Sequence, residues 1–302
     1  MRLVRTTKNH SHRSLERTRR YRRSLEGKTI LITGASRGIG ARVAMMAGEV
    51  GAHVLLAARG ADALQDVATE IEALGGRASC YRADLSSMDG VEALGDAILT
   101  DHGGVDVVVH NAGRSIRRPT SHSVDRFHDY ERTMGLNYFA PVRLTLQLLP
   151  SLLERRGTVS LVLTMGVYAR VPNFGAYVAS KCALDAFGDV LAAENDHKLT
   201  VSSVYHPLVL TDMATKTPEF AVRTDAMSID TAAAMVLDGI VERKRRVVTR
   251  QGRAYALAGQ FAPRITTRFL NVLARTYPVG DEPTEFPTPR AILERLGRGT
   301  PF

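Results

Sequence analysis

The 302-residue chain has a hydrophobic content of 44%, a charged content of 24% and a formal net charge of +9. These values are typical of globular proteins, so they exclude global disorder and allow a sizeable core. The two cysteines have no C-x-x-C spacing, and no apolar run reaches the roughly 18 residues of a membrane span, so we expect a cytoplasmic protein without a disulfide framework or metal site.

The positive charge is concentrated at the beginning of the chain. Residues 1–26 contain nine Lys and Arg against two Glu, which is +7 of the total +9. A basic arm of this kind is commonly solvated, and the alternatives are contact with RNA, anionic lipid or an acidic partner. We expect no specific nucleic-acid partner.

From residue 27 onward, short β-branched runs alternate with helical patterns. Strands are predicted at 28–33, 52–57, 78–83, 105–110, 158–163, 200–205 and 246–249, and helices at 38–49, 61–74, 88–101, 136–154, 174–195 and 231–243. This order predicts an α/β, Rossmann-type doubly wound parallel sheet in a single domain at 27–250, with strands buried on both faces. Residues 251–302 are predicted to form a helical and Pro-rich C-terminal extension.

A glycine-rich turn follows the first predicted strand and opens the first helix. Glycines let the backbone approach a pyrophosphate, and the helix N-terminus offers unpaired N–H groups and a positive dipole end. The position inside a βαβ unit favours a dinucleotide site over an ordinary loop. The predicted cofactor contacts in this turn are Gly34, Ser36, Arg37, Gly38, Ile39 and Gly40.

The end of the second strand indicates which dinucleotide binds. NAD-selective folds often place an acidic residue there, on the adenosine ribose, but this chain has Arg59. The Arg59 and Arg37 guanidinium groups are well shaped for a 2′-phosphate, which favours NADPH. The alternatives are surface solvation for Arg37 and a capping or ion-pair role for Arg59.

Polar and small residues also follow the third and fourth predicted strands. Because carboxyl ends of parallel strands meet at the ligand-binding edge of a sheet, we predict further cofactor contacts there. An Asp can accept from the adenine amino group, and a glycine allows close backbone approach, although each also suits an ordinary turn. The residues concerned are Asp84, Leu85, Asn111, Ala112 and Gly113.

Tyr177 and Lys181 stand four residues apart in a predicted helix, so their side chains share one face. A tyrosine ordinarily ionises near pH ~10, and a nearby ammonium would favour the phenolate. Thr164, at the end of a strand, is placed to hydrogen-bond a substrate oxygen, and Asn137 to support a water chain to Lys181. Taken singly, each residue also fits a purely structural role.

Four motifs in this order resemble those of the short-chain dehydrogenase/reductase family. They are the glycine turn at 33–40, Asn-Ala-Gly at 111–113, Asn137, and Tyr-x-x-x-Lys at 177–181. The resemblance covers about residues 27–215 and implies hydride transfer between a nicotinamide and a carbonyl carbon.

The resemblance also implies residue roles. Tyr177 would protonate the substrate oxygen, Lys181 would hold the ribose and lower the tyrosine pKa, and Asn137 would complete the catalytic set. The loop containing Pro207 and Thr211 would lie over the nicotinamide. Thr164 stands where the family usually has serine, and its extra methyl group stiffens χ1 and narrows the pocket.

Two stretches, 111–118 and 125–134, resemble a subgroup of these reductases associated with fatty acyl-CoA or related lipid thioesters. That resemblance implies a hydrophobic carbonyl substrate. Arg114, Arg117 and Arg118 would either hold phosphates of coenzyme A or pair with acidic residues of the next helix, Asp125, Asp129 and Glu131. The motifs do not separate thioester reduction from reduction of a ketone or 3-oxoacyl chain.

The extension contains a predicted amphipathic helix with Ile265, Phe269, Val272 and Leu273 on one face. Such a helix packs on the domain, covers an acyl tunnel or rests on a membrane surface. The family resemblance implies a homo-oligomer through the helices at 136–154 and 174–195. The rival functions are a non-catalytic NADPH-binding protein and a peripheral lipid-binding protein, and the intact Tyr177–Lys181 pair favours an enzyme.

Overall fold

A computed structural model describes residues 15–215, 226–262, 264–266 and 268. Within them, seven parallel strands form one sheet in the order β3-β2-β1-β4-β5-β6-β7. The strands are Thr29–Thr33 (β1), His53–Ala58 (β2), Arg77–Arg82 (β3), Val107–His110 (β4), Thr158–Thr164 (β5), Thr200–His206 (β6) and Arg246–Val248 (β7). The predicted doubly wound α/β fold is confirmed.

Helices cover both faces of the sheet. They are 15–25 (α1), Gly38–Glu49 (α2), Ala61–Ala73 (α3), Met88–His102 (α4), His128–Met134 (α5), Ala140–Glu154 (α6), Gly166–Ala169 (α7), Gly175–Glu194 (α8), Asp212–Thr215 (α9), Ile229–Val241 (α10) and Arg250–Phe261 (α11). Two apolar layers result, one beneath α2, α3 and α10 and the other beneath α4, α6 and α8. Each layer buries one face of the central strands.

Burial along the strands depends on their place in the sheet. The central strands β2, β4 and β6 are buried along their whole length, as parallel strands covered on both faces should be. The edge strands β3 and β7 are partly exposed, so the expectation that every strand is buried on both sides is wrong for them. An edge strand has a neighbouring strand on one side alone, so its other side is open to solvent.

Part of the basic N-terminal segment is not a solvated arm. Residues 15–25 form a helix. Tyr21 and Leu25 are each 2% exposed and belong to the apolar layer beneath α2 and α10. Arg20 forms ion pairs with Asp238 and Glu242 of the α10 end. Burial of two large side chains, together with these pairs, holds this part of the segment against the domain.

The predicted helix at 136–154 has a different beginning and is not uniform. Helical structure begins at His128, passes through a π-helical turn at Gly135–Phe139 and continues as α6. Short π-helical turns inside α-helices are frequent at functional sites, and this one contains Asn137. Hydrophobic periodicity did not reveal the irregular turn because one inserted residue shifts the pattern by only part of a turn.

The C-terminal extension is described as far as residue 268. Helix α11 ends at Phe261, the Ala262 backbone is not helical, and residues 264–266 are helical again. Most of the predicted amphipathic helix, including Phe269, lies outside the described residues. Of the helices that the structure describes, none combines the length and apolar character needed to cross a membrane.

Candidate active site

The candidate site lies at the carboxyl edge of the sheet, where parallel topology gathers the ends of all strands. The glycine turn follows β1, Arg59 follows β2, and Asp84 follows β3. The Asn-Ala-Gly segment follows β4, Thr164 ends β5, and Pro207 follows β6. The predicted residues therefore occupy one edge although they are spread over about 180 positions of the chain.

The glycine turn is shaped by requirements that a side chain would violate. Gly34 has φ of +67° and Gly38 has φ of +60°, conformations that L-residues rarely adopt. A Cβ on Gly40 would stand 2.4 Å from the Gly34 carbonyl oxygen and 2.5 Å from Asn111 Nδ2. The turn can therefore close against the loop after β4 only when glycine occupies this position.

A hydrogen-bond network ties that loop to the turn. The Asn111 amide Nδ2 donates to the carbonyl oxygens of Thr33 and Gly34, at 3.0 and 3.1 Å. The Thr33 hydroxyl accepts from the backbone N–H groups of Asn111 and Ala112, both at 3.1 Å, and donates to the Val109 carbonyl. Sequence reasoning missed Thr33, although its position directly before the first glycine was an available signal.

The N-terminus of α2 fits a pyrophosphate. Arg37 occupies the N-cap position, no side chain caps the helix, and the first turn contains no acidic residue. Its leading N–H groups and positive dipole end are thus available to an anion. Together with the tight glycine turn, these residues fit a dinucleotide cofactor. Ser36, Gly38 and Ile39 are partly exposed beside this helix end.

The residues predicted to select the cofactor are on the surface. The Arg37 guanidinium lies 3.6 Å from the Asp212 carboxylate, and both side chains are more than half exposed. Arg59 is exposed at the end of β2. The Ser86 hydroxyl and N–H donate to Asp84 and, with Arg59 nearby, hold the pKa of the Asp84 carboxyl below its usual value. Leu85 beside it is buried in the core.

The Thr164 hydroxyl accepts from the Gly166 N–H at 3.1 Å, and it also acts on the neighbouring Tyr177 hydroxyl by lowering its pKa. Burial raises the pKa of Tyr177 to about 12, and the Thr164 hydrogen bond opposes this only in part. Burial is thus the largest influence on the Tyr177 pKa, and the role of Lys181 in lowering this pKa stays a prediction. A phenol with this pKa is fully protonated at neutral pH and is suited to donate a proton.

Lys181 is 4% exposed, and its ammonium donates to the Val162 carbonyl of β5 at 2.8 Å. Burial lowers the pKa of Lys181 to about 8. A Cβ on Gly113 would stand 3.6 Å from the Lys181 Nζ and 3.3 Å from the Asn137 Oδ1. The loop after β4, the π-helical turn and helix α8 therefore converge on one small region.

Asn137 is fully buried and connects two elements of the site. Its Nδ2 donates to the Arg114 carbonyl and the Ser180 hydroxyl, each at 2.9 Å, and its Oδ1 accepts from the Arg114 N–H at 2.8 Å. Ser180 in turn donates to the Tyr177 carbonyl at 2.7 Å. Asn137 thus fixes the loop after β4 relative to α8. Ser180 was missed, and its place three residues after Tyr177 was the available signal.

The loop after β6 lies against the glycine turn. A Cβ on Gly38 would be 3.5 Å from the Thr211 methyl carbon, and the Met227 N–H donates to the Leu208 carbonyl at 2.8 Å. Pro207 and Thr211 are partly exposed at this edge. The loop is therefore positioned to cover whatever binds the turn.

The sequence left two roles for the arginines after β4, which are binding of coenzyme A phosphates and pairing with acidic residues. The structure shows ion pairing for Arg118. Its guanidinium donates to the Asp129 carboxylate at 3.1 Å, and Arg126 and Arg132 also pair with Asp129, which is 2% exposed. Burial alone would raise the Asp129 pKa, but the arginines outweigh it and hold the pKa below its usual value. One carboxylate thus meets three guanidinium groups, which leaves an excess of positive charge here.

A doubly wound sheet, a glycine turn at its carboxyl edge and a hydroxyl pair near a buried lysine together define a nicotinamide-dependent oxidoreductase. A family model described as short chain dehydrogenase matches residues 28–221. The chain belongs to this family.

Individual relatives extend the comparison. A fatty acyl-CoA reductase of Acinetobacter baylyi is 42% identical over 260 residues, covering 85% of this chain and 88% of that protein. A metagenomic short-chain oxidoreductase in complex with NADP aligns with a TM-score of 0.64 and 29% identity, over 75% of this chain and 98% of that one. A 7α-hydroxysteroid dehydrogenase complexed with NADH and 7-oxo glycochenodeoxycholic acid aligns with a TM-score of 0.68 and 25% identity. The alignment covers 76% of this chain and 94% of that one.

Two buried histidines at this edge predict acid lability. Burial lowers the pKa of His110 to about 3 and that of His206 to about 4, from an ordinary 6.5. Both are neutral when folded and become charged on unfolding at mild acidity, so their stability contribution is complete above pH ~6.5 and is lost as the pH falls toward ~4. At ~1.4 kcal/mol per pH unit for each, these two histidines should together lower the free energy of unfolding by about 4 kcal/mol between pH ~7 and ~5.

Urea denaturation of three proteins at both pH values tests this. The double variant His110→Asn/His206→Asn should lose this share of the pH dependence and keep the share of His53, whose pKa burial also lowers to about 4. His197→Asn is the matched control, because the His197 side chain is 92% exposed. A double variant that keeps the wild-type pH dependence would contradict the assignment.

Proposed function

We propose that this protein is an NADPH-dependent reductase that transfers a hydride to the carbonyl carbon of a fatty acyl thioester. The observation that carries the proposal is the 42% identity to a fatty acyl-CoA reductase across 85% of the chain. The neighbouring hydroxyls of Thr164 and Tyr177, at the same edge of the sheet as the glycine turn, support it chemically.

When bound, NADPH supplies the hydride. Tyr177 gives its proton to the carbonyl oxygen, and its raised pKa keeps that proton available at neutral pH. The Thr164 hydroxyl stabilises the developing negative charge on the same oxygen. With a thioester, the hemithioacetal then breaks its C–S bond, its hydroxyl proton passes to sulfur, and an aldehyde and a thiol leave. With a ketone, the product is a secondary alcohol.

The preference for NADPH rests on Arg59 and Arg37. A guanidinium pairs well with a 2′-phosphate, and no carboxylate occupies the end of β2. The Arg37–Asp212 ion pair does not prevent this role, since both side chains are largely exposed and such pairs are weak in water. The Arg37 side chain can therefore leave Asp212 and pair with a phosphate at a small cost in free energy.

Positive charge near the site supports a thioester with a phosphorylated carrier arm. Arg118, Arg126 and Arg132 share the single carboxylate of Asp129. The Arg118 N–H also donates to the Asn173 carbonyl, just before the helix that contains Tyr177. The arginine excess thus lies beside the start of the helix that contains Tyr177 and suits a phosphate on the carrier arm of a substrate.

A homo-oligomer is also part of the proposal. Leu146 on α6 and Val190 on α8 are 50% and 55% exposed, although both are large and apolar. Exposed apolar side chains on long helices are typical of association surfaces. Light scattering of the purified protein would establish the mass in solution.

The direct test is to incubate the purified protein and NADPH with long-chain acyl-CoA thioesters, 3-oxoacyl thioesters and simple ketones. Loss of NADPH absorbance would be followed and the products identified by mass spectrometry. We expect an aldehyde or the corresponding alcohol from acyl-CoA. Turnover restricted to ketones or 3-oxoacyl chains would reject thioester reduction, and NADPH binding without turnover on any substrate would favour a non-catalytic sensor.

Cofactor choice is tested in the same assay. We expect kcat/KM for NADPH to exceed that for NADH by at least about tenfold, because an ion-paired phosphate contact contributes ~1.5–3 kcal/mol. Arg59→Ser should lower the ratio of kcat/KM for NADPH to kcat/KM for NADH. Arg77→Ser, at the amino end of β3, is the matched control and should preserve it. Equal use of both cofactors by the wild-type protein would reject the preference.

A further inference from the structure

Helix α11 packs on the domain through one face. A Cβ on Gly252 would stand 2.6 Å from a Val248 methyl carbon, and one on Gly259 would stand 3.2 Å from the Tyr168 carbonyl oxygen. Tyr255 packs against the apolar layer beneath α8. These residues have helical spacing and define the inner face of α11.

The opposite face of α11 is exposed and has two kinds of side chain. Leu257 and Phe261, four residues apart, are 57% and 78% exposed. Arg250 and Arg253 precede them on the same side of the helix and are also exposed. Ile265, in the helical turn after the break at Ala262, is 71% exposed. We call Arg250, Arg253, Leu257 and Phe261 the outer face, and Arg264, Ile265 and Arg268, which follow the break, are also exposed.

The stretch of sequence that contains the outer face has positive charges alone. Residues 243–280 contain nine Lys and Arg and no Asp or Glu. Arg245 and Arg246 pair with Asp189, and Lys244 pairs with Glu242. In the part of the chain that the structure describes, no carboxylate pairs with an arginine of the outer face.

We propose that the outer face binds an anionic lipid surface. Its apolar side chains would enter the boundary between headgroups and acyl chains, while the flanking arginines would pair with lipid phosphates. A second copy of the chain fits less well, because self-association across this face would bring arginines against arginines without an opposing carboxylate. The combination of exposed Phe and Leu with unopposed cations is what an interfacial helix requires.

The position of α11 connects this surface to the candidate active site. The Thr249 hydroxyl at its N-cap lies 3.7 Å from the Met165 sulfur, and Met165 directly follows Thr164. Tyr168, against which Gly259 packs, belongs to the same short segment. The lipid surface would thus lie on the side of the molecule where Thr164 meets substrate. This connection, unlike the binding itself, rests on the proposed function.

Vesicle cosedimentation of the full chain tests the proposal. We expect binding to phosphatidylcholine vesicles containing about 30% phosphatidylglycerol, little binding to pure phosphatidylcholine, and weakening by salt. The double variant Leu257→Gln/Phe261→Gln should lower the partition coefficient at least about tenfold. The matched control is Leu74→Gln/Val124→Gln, which removes exposed apolar side chains elsewhere and should bind as the wild type does.

Several results would overturn the proposal. One is wild-type protein that binds no vesicles, and another is equal binding to anionic and neutral vesicles. A third is a Leu257→Gln/Phe261→Gln variant that binds as tightly as the wild type, or whose sole change is loss of self-association. Turnover of a water-soluble short-chain thioester should be unchanged in this variant, so failure of lipid binding is distinguishable from failure of the proposed reductase activity.

Discussion

Replacing Tyr177 with Phe should reduce kcat for carbonyl reduction by about a thousandfold, since a positioned general acid typically contributes about 10²–10⁴ to the rate. The substitution removes one oxygen and the proton that it donates, while the ring keeps its position in α8. Because the phenol has a pKa of about 12, it is fully protonated in the wild-type protein at neutral pH. The whole protein population therefore has the proton that the variant lacks.

The measurement is single-turnover reduction with NADPH, accompanied by a titration of cofactor affinity. Cofactor affinity should stay within about threefold of wild type, because the lost hydroxyl serves proton transfer and not uniform binding. Tyr168→Phe is the matched control: its hydroxyl accepts from Arg246 at 3.0 Å outside the candidate site, and kcat should change little. A Tyr177→Phe variant with wild-type kcat would show that Tyr177 is not the proton donor.

Replacing Gly40 with Ala should abolish measurable cofactor binding and lower the free energy of unfolding by about 3 kcal/mol, the upper part of the range for overpacking. The added Cβ would stand 2.4 Å from the Gly34 carbonyl oxygen and 2.5 Å from Asn111 Nδ2. A backbone oxygen cannot rotate away as a flexible side chain can. The turn and the Asn111 loop must therefore separate, and the N–H groups of α2 lose their alignment toward a pyrophosphate.

Isothermal titration with NADPH and urea denaturation test both parts of this expectation. Gly135→Ala is the matched control, because a Cβ there has no neighbour within 4 Å and the backbone is already helical. Its stability should be unchanged or rise by about 0.5–1 kcal/mol, since alanine loses less chain entropy than glycine. Wild-type NADPH affinity in the Gly40→Ala protein would show that the tight turn is not required.

Some features of this protein were predictable because they depend on neighbours in sequence. The strand and helix alternation predicted all seven strands to within a few residues. For the central strands the reason is that burial on both faces demands apolar β-branched runs. Parallel topology then predicted that Thr164 and the loop containing Asn111 share an edge with the glycine turn. The four-residue spacing of Tyr177 and Lys181 predicted a common helix face, and both lie in α8.

Other features were not predictable because they depend on partners far away in sequence. The pairing of Arg37 with Asp212 required knowing which loops meet. For Arg118 the sequence left pairing with Asp129 as one of two alternatives, and the structure was needed to choose it. Tyr21 is buried because α10, more than 200 residues later, lies beneath it. The π-helical turn that contains Asn137 left no clear mark in the hydrophobic pattern.

The sequence by itself determined the fold class, the dinucleotide turn and the identity of the candidate catalytic residues, because periodicity and motif spacing are local properties of the chain. Only the tertiary structure decided the electrostatics of the site. Burial sets the pKa of Tyr177 at about 12 and that of Lys181 at about 8, and the Lys181 ammonium is directed at the Val162 carbonyl. The physical reason is that desolvation depends on every segment packed around a group, whatever its distance along the chain.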